Sequence, residues 1–174
     1  MNSLIFLILL ILSSPLQGER DLVIVHQKVL VSGTTSLGKF NCDYTKVGSF
    51  DTLKVNNPKA GHALSFQIPI RNFSCGNFIL NSDFRSTLKA DQYPFAEVKV
   101  NNLRQQSGKI YCHLFLDLAG KRLEFPDFIL EKHKEGLAGN LCLDFAALGL
   151  SPPKKMGGLI KVDDQLDLQL LLGM

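Results

Sequence analysis

Apolar and polar residues alternate with a period of two in many short segments of this chain, and Gly, Asn, Asp or Pro separates most of these segments. In the clearest case, residues 165–172, every second residue is a leucine, and Asp167 and Gln169 lie between the leucines. Successive side chains of a strand point to opposite faces, so this pattern fits a half-buried strand and not a helix. The chain is therefore predicted to be mainly β.

The predicted strands share this alternation and are bounded by turn residues. They cover residues 26–32, 39–44, 63–70, 110–118, 121–125, 137–145 and 165–172. The strand over 110–118 is apolar on both faces, which predicts that both faces are covered. Gly120 marks a turn after it, so 110–118 and 121–125 are predicted to form a hairpin.

One segment, residues 82–92, breaks the alternation. Phe84 and Leu88 stand four residues apart, Asn81 or Ser82 can cap the first turn, and the segment stops before a proline. These features predict the one substantial helix of the chain.

Seven or eight short antiparallel strands indicate either a sandwich or a barrel, and the pattern alone does not choose between them. Both terminal strands alternate strongly, and pairing them would close the sheet and leave no exposed edge. We therefore predict an eight-stranded, lipocalin-like antiparallel barrel with one helix.

The first eighteen residues contain no charged side chain, and residues 4–12 form an unbroken apolar run. A spanning helix needs ~20 apolar residues, whereas the core of a signal peptide needs ~7–15. We predict a signal peptide over 1–18, a single domain over 19–174 without a membrane span, and a periplasmic or secreted location. A buried N-terminal strand is the alternative.

The net charge and the sequence motifs of the chain argue against several classes of function. The 19 basic and 16 acidic residues give a net charge of +3, and no basic run of five occurs, so nucleic-acid binding is not predicted. Common catalytic and nucleotide-binding motifs are missing, and the four histidines are dispersed. A triad built from distant residues is a geometric property that sequence does not reveal. We expect no enzyme activity, no metal and no cofactor.

Four cysteines, Cys42, Cys75, Cys112 and Cys142, allow three pairings in an exported protein. Their wide spacing disfavours zinc binding. A bridge between the first two or between the last two would close a loop of about thirty residues and contribute ~3–4 kcal/mol.

Three blocks of the sequence resemble the YceI-like family. The first is 31–42, which ends in an aromatic-x-Cys pattern. The second contains Phe-Ser-Cys-Gly-Asn at 73–77 and continues through 80–94 to a Tyr-Pro exit. The third contains Leu-Gly-Leu-Ser-Pro-Pro at 148–153 and Gly-Leu-Ile-Lys-Val within 158–166. The first block departs from the family where Ser32-Gly33 replaces a Ser-His pair.

The resemblance implies an exported lipocalin-like barrel that binds, transports or stores a polyisoprenoid or similar amphiphilic lipid, and that can form a homodimer. It also favours a disulfide between Cys42 and Cys75, which leaves Cys112 and Cys142 as the second pair.

Candidate lumen-lining residues are the apolar members of the predicted strands. They are Phe40, Phe66, Ile68, Leu114, Leu116, Leu141, Leu143, Leu168 and Leu170. Each of them could equally be a packed core residue, and Phe84 and Leu88 are expected to seal one face or end of the barrel. Two rivals remain open: a structural barrel filled by its own side chains, and an enzyme that uses His113 or Asp117 on an isoprenoid-like substrate.

Overall fold

Antiparallel strands make up most of the chain that this computed structural model describes, residues 20–56 and 64–174. The predicted signal peptide lies outside these residues. The strands are β1 Arg20–Thr35, β2 Gly38–Val55, β3 Leu64–Pro69, β4 Phe95–Gln106, β5 Lys109–Leu118, β6 Lys121–His133, β7 Gly136–Asp144, β8 Lys154–Lys155 and β9 Ile160–Gly173. One α-helix, α1, spans Phe78–Thr87, and two 3-10 turns span Ile70–Asn72 and Met156–Gly158.

The strands form one sheet in the order β2-β1-β9-β7-β6-β5-β4-β3, and the two-residue strand β8 pairs only with β9. The first and last strands lie side by side, with Val29 opposite Leu170 and Val31 opposite Leu168. The sheet curls into a nearly closed antiparallel barrel of eight long strands. The predicted fold class and the pairing of the terminal strands are confirmed.

The edges of the sheet are internal strands, β2 and β3, and not the terminal strands. We call the line along which these two edges meet the seam of the barrel. Two short hydrogen-bonded links join β2 to residues on the other side of the seam. Asp43 and Ser74 exchange two backbone hydrogen bonds of 2.9 Å, and the backbone N–H of Asn56 donates to the carbonyl of Leu103 at 2.9 Å. Between these links β2 pairs with no described strand on that side. The expectation that closure leaves no exposed edge is therefore met only in part.

Strand β4 is missing from the sequence prediction, although its residues alternate. Ala96, Val98 and Val100 are buried, whereas Glu97 and Lys99 between them are only half-buried. The charged residues on its outer face obscure a strand whose inner face belongs to the core.

Helix α1 begins four residues earlier than predicted and ends at Thr87. Asn77 is the N-cap, and its side-chain oxygen accepts a hydrogen bond from the Leu80 N–H at 2.9 Å. The side-chain oxygen of Asn81 instead accepts from the Cys75 N–H. The helix cannot continue to residue 92 because Lys89 has a left-handed backbone, with φ of 53°.

Candidate functional site

The barrel interior contains a narrow cavity of about 50 Å³, which we call the inner cavity. Every residue that lines it is apolar. They are Val29, Val31, Ile68, Ile70, Phe73, Phe84, Leu88, Ala96, Val98, Leu114, Leu116, Leu118, Leu141, Leu143, Leu166, Leu168 and Leu170. Alternating residues of the strands supply most of this lining, since the inward face of each strand is the apolar one.

A second cavity of about 100 Å³, the mouth cavity, lies between α1 and the β1–β2 hairpin. Its lining is mainly apolar and includes three polar residues. It consists of Thr35, Phe40, Cys42, Leu80, Asp83, Phe84, Thr87, Leu88, Phe145, Pro153, Ile160, Val162 and Leu166. Phe84, Leu88 and Leu166 line both cavities, so these three side chains form the partition between them.

The structure places most of the predicted lining residues around the inner cavity. Seven of the nine line it: Ile68, Leu114, Leu116, Leu141, Leu143, Leu168 and Leu170. Phe40 lines the mouth cavity, and Phe66 is buried but is not among the residues that line either cavity. A contact between any of them and a ligand stays a prediction.

The sequence prediction missed several lining residues. Ala96 and Val98 belong to the omitted strand β4, and their alternation with charged residues was the signal available. Val29 and Val31 lie on β1, which was predicted as a strand without being assigned to the lumen. Ile70 shares one face with Ile68 in the strand predicted over 63–70 but was not assigned to the lumen, and Phe73 follows a 3-10 turn, where no periodic pattern indicates which way a side chain points.

Aromatic contacts hold α1 over the seam. The ring of Phe84 lies 5.0 Å from that of Phe73, which in turn lies 5.8 Å from the ring of Tyr44 on β2. Tilted ring pairs at these separations are favourable. The helix therefore covers the barrel at the place where the sheet order is interrupted.

Gly33 explains how Phe40 reaches the wall of the mouth cavity. A Cβ atom at Gly33 would lie 2.5 Å from Cζ of Phe40 and 2.8 Å from Cδ2 of Leu166. The missing side chain leaves room for both groups, because carbon atoms do not approach this closely without repulsion. Gly33 thus shapes the cavity without presenting a side chain to it.

Cys42 and Cys75 form a disulfide, the pairing that the resemblance favours, with an S–S distance of 1.99 Å. The expected second disulfide is wrong, because Cys112 and Cys142 are both free. Cys112 is buried on β5, Cys142 is exposed on β7, and β6 lies between these strands. Burial raises the pKa of the Cys112 thiol to about 12.

The two residues of the enzyme hypothesis lie on the face of β5 opposite to its lumen-lining leucines. The ring of His113 stacks on Phe115 at 4.1 Å, and its Nε2 atom lies 3.7 Å from an oxygen of Glu124. Asp117 accepts two hydrogen bonds of 2.7 Å from Arg122, which lowers the pKa of Asp117. Neither side chain is among the residues that line a cavity, so neither is placed to act on a molecule held there.

Few titratable side chains line the inner cavity and the mouth cavity. Asp83 is the one ionisable side chain among the described residues that line them, since Cys42 is in a disulfide. Across residues 20–56 and 64–174, no group of three or more His, Cys, Asp or Glu side chains is arranged to hold a metal ion. No helix in the same ranges combines the length and apolarity needed to cross a bilayer.

Solved structures similar to this chain include the following three. BcnA from Burkholderia cenocepacia is 16% identical with a TM-score of 0.55, over 83% of this chain and 93% of BcnA. A polyisoprenoid-binding domain from Saccharophagus degradans is 11% identical with a TM-score of 0.49, over 86% of this chain and 99% of the domain. A YceI protein from Campylobacter jejuni is 15% identical with a TM-score of 0.48, over 65% of this chain and 73% of that protein.

No protein-family model and no curated protein matches the chain. At these levels of identity, similarity between structures concerns the fold alone. The chain shares its overall fold, a nearly closed antiparallel barrel, with BcnA.

Proposed function

We propose that this protein binds the hydrocarbon tail of an isoprenoid or similar amphiphilic lipid inside its barrel, and that it does so without catalysis. The observation that carries the proposal is the lining of the inner cavity, which is apolar throughout and adjoins a second, mainly apolar cavity. The isoprenoid class itself comes from the sequence resemblance.

The arrangement of the two cavities suits an amphiphile. A tail in the inner cavity would touch only carbon side chains, and each buried CH₂ group contributes ~0.8 kcal/mol. Thr35, Asp83 and Thr87 are the polar residues that line the mouth cavity, so a headgroup would lie beside them. Affinity would therefore rise with chain length, and selectivity for the headgroup would depend on the mouth cavity.

The size of the cavities sets a condition on binding. At about 50 Å³ and 100 Å³, both are smaller than the ~300 Å³ at which ligand pockets usually begin. A tail fits only if the partition side chains Phe84 and Leu88 move and join the two cavities. No residue of the helix is fully buried, and Leu80 and Phe84 are only partly buried where they pack against the core.

We also propose that the protein is exported from the cytoplasm. The Cys42–Cys75 disulfide supports a location outside the reducing cytoplasm, because disulfides persist in oxidising compartments. The apolar leader predicted over 1–18 would deliver the chain to the periplasm or the medium.

Native mass spectrometry tests the binding proposal. The protein would be purified from a membrane-containing extract, its bound lipids extracted and identified, and the empty protein titrated with farnesol and the longer geranylgeraniol. We expect a copurified amphiphile and tighter binding of the longer alcohol. A protein that is always empty and binds neither alcohol would reject the proposal.

A second candidate function is a structural or interaction protein whose barrel is filled by its own side chains. The small cavities favour this candidate. It predicts no bound lipid and no change in the free energy of unfolding when either alcohol is added. A lipid that binds the folded protein raises that free energy by mass action, so thermal unfolding with and without geranylgeraniol separates the two candidates.

A further inference from the structure

A third space, which we call the base pocket, lies at the end of the barrel opposite to the mouth cavity. Strand β9 shows the placement, because Ile160 at its start lines the mouth cavity and Met174 directly after it lines the base pocket. The base pocket has a volume of about 320 Å³, which exceeds the ~300 Å³ at which ligand pockets usually begin. It therefore has room for a small ligand as it stands, which the other two cavities do not.

A packed layer of side chains separates the base pocket from the inner cavity. On β5, Leu114 lines the inner cavity, Cys112 is fully buried, and Ile110 lines the base pocket. Other fully buried residues that line neither space belong to the same level of the barrel. They are Leu53, Val100, Leu130 and Leu172. A molecule in the base pocket would therefore be independent of one in the inner cavity.

The apolar part of the base pocket is built from side chains that are fixed in the core. Val55, Ile110 and Leu137 are only 1%, 8% and 2% exposed, and Leu22 and Met174 complete this apolar surface. A hydrocarbon chain that lies against these residues is shielded from water. Each CH₂ group buried in this way tightens binding roughly fourfold.

The polar side chains of the base pocket offer mainly hydrogen-bond donors. They belong to Gln105, Lys132 and His133, and no Asp or Glu is among the described residues that line the pocket. Nδ1 of His133 accepts a hydrogen bond from the backbone N–H of Glu135 at 3.4 Å, which leaves Nε2 of the ring as a donor. The Lys132 ammonium group has donors only. The pocket therefore suits a ligand whose polar end accepts hydrogen bonds.

The acidic groups near the base pocket do not neutralise Lys132. Glu131 pairs with Lys109 at 2.8 Å, and an oxygen of Glu135 lies 3.8 Å from the ring of a histidine on β1. Lys132 forms no ion pair with any residue in the described part of the chain, and this includes the terminal carboxylate of Met174. The pocket thus combines an apolar surface with a cation that has no anionic partner.

We propose that the base pocket binds a medium-chain fatty acid. The carboxylate accepts hydrogen bonds from Lys132 and from Nε2 of His133, and the hydrocarbon chain lies against the apolar surface. A hydrogen bond between two charged groups is stronger than one to a neutral group, which favours a carboxylate over an alcohol of the same length. The pocket only just exceeds the usual lower size limit, which favours a short chain. This site is separate from the proposed isoprenoid site and does not depend on it.

Titration of the isotope-labelled protein with octanoate and with octanol, followed by NMR below the concentrations at which either probe aggregates, tests the proposal. The charge variant is Lys132→Gln, and its matched control is Lys134→Gln, which changes an exposed lysine of the same hairpin that does not line the pocket. The apolar variant is Leu22→Ser, and its control is Val23→Ser, on the outer face of the same strand. Ala96→Leu fills the inner cavity and leaves the base pocket unchanged. The dispersion of the same spectra shows whether each variant is folded.

We expect octanoate to shift the amide signals of residues 105–110 and 132–137 and to bind roughly fivefold more tightly than octanol. Lys132→Gln should remove this preference, and Leu22→Ser should weaken the binding of both probes roughly tenfold. Both controls and Ala96→Leu should bind like the wild type.

Several results would overturn the proposal. They are the absence of shifts with octanoate, equal binding of the two probes by the wild type, and shifts confined to residues around the inner cavity. An equal loss of octanoate binding in Lys132→Gln and Lys134→Gln would also overturn it, because the attraction would then belong to the basic hairpin as a whole and not to the pocket.

The two proposals fail separately. Octanoate binding in the base pocket of a protein that takes up no geranylgeraniol in the mass spectrometer would reject the isoprenoid proposal and leave the fatty-acid site intact. Uptake of geranylgeraniol by a protein that does not bind octanoate would reject the fatty-acid site alone.

Discussion

Cys42 on β2 and Cys75, which precedes α1, are bonded to each other across the seam of the barrel. The residues next to them, Asp43 and Ser74, add two backbone hydrogen bonds at the same place. A covalent link and a short hydrogen-bonded link thus hold together the part of the barrel where no regular strand pairing does. Because Cys42 also lines the mouth cavity, the seam and the candidate site share this link.

Replacing both bonded cysteines, by Cys42→Ser with Cys75→Ser, should lower the free energy of unfolding by ~3–4 kcal/mol. The disulfide joins residues 33 positions apart, and opening that loop restores chain entropy to the unfolded state. Urea unfolding of the oxidised protein and of the variant measures the difference. The control is Cys142→Ser, which removes an exposed free thiol and should leave the midpoint unchanged. Equal midpoints for all three proteins would contradict the prediction.

The two free thiols should differ sharply in reactivity. Cys142 is exposed, whereas Cys112 is buried, donates to the carbonyl of Phe128 and has a pKa of about 12. Only the thiolate reacts, so a chromogenic disulfide reagent at neutral pH should label one thiol in the folded protein and two in urea. Cys142→Ser should abolish labelling of the folded protein. Equal rates for both thiols in the native state would show that Cys112 is not enclosed.

Filling the inner cavity should block lipid uptake. Ala96 lines this cavity, and the three carbon atoms added by Ala96→Leu need about as much volume as the cavity offers. We expect geranylgeraniol binding to weaken at least tenfold, with a stability cost of ~1–3 kcal/mol from overpacking. Ala138→Leu serves as the control, since Ala138 is half-buried but is not among the residues that line either cavity. Unchanged affinity of the Ala96→Leu protein would place the ligand elsewhere.

The ion pair between Asp117 and Arg122 should contribute stability only above strongly acidic pH. Hydrogen bonds from Arg122 hold the pKa of Asp117 below its ordinary value of 3.8. The unfolded chain therefore binds this proton first as the pH falls, and the contribution is lost as the pH drops through the lower pKa of the folded state. Asp117→Asn should lower the urea midpoint slightly at pH 7 and not at all below that pKa. A difference that persists in strong acid would contradict this account.

The sequence alone determined the class of the fold and much of the lumen lining. Alternation is a local property, so Leu114, Leu116, Leu168 and Leu170 could be assigned to an inward face before any strand partner was known. The pairing of the first and last strands followed from the same pattern. The helix was located but its bounds were wrong, because Asn77 and not the predicted Asn81 or Ser82 is the N-cap, and the left-handed backbone at Lys89 ends the helical run early.

The tertiary structure alone decided that Cys112 and Cys142 stay unpaired, where the barrel has its seam and how large its cavities are. Cys112 and Cys142 are separated by β6, and one is buried while the other is exposed, which no spacing along the chain reveals. The partition formed by Phe84, Leu88 and Leu166 brings together residues that are distant in sequence. Local preferences fix which face of each strand is apolar, but the space left between those faces depends on how all the strands pack at once.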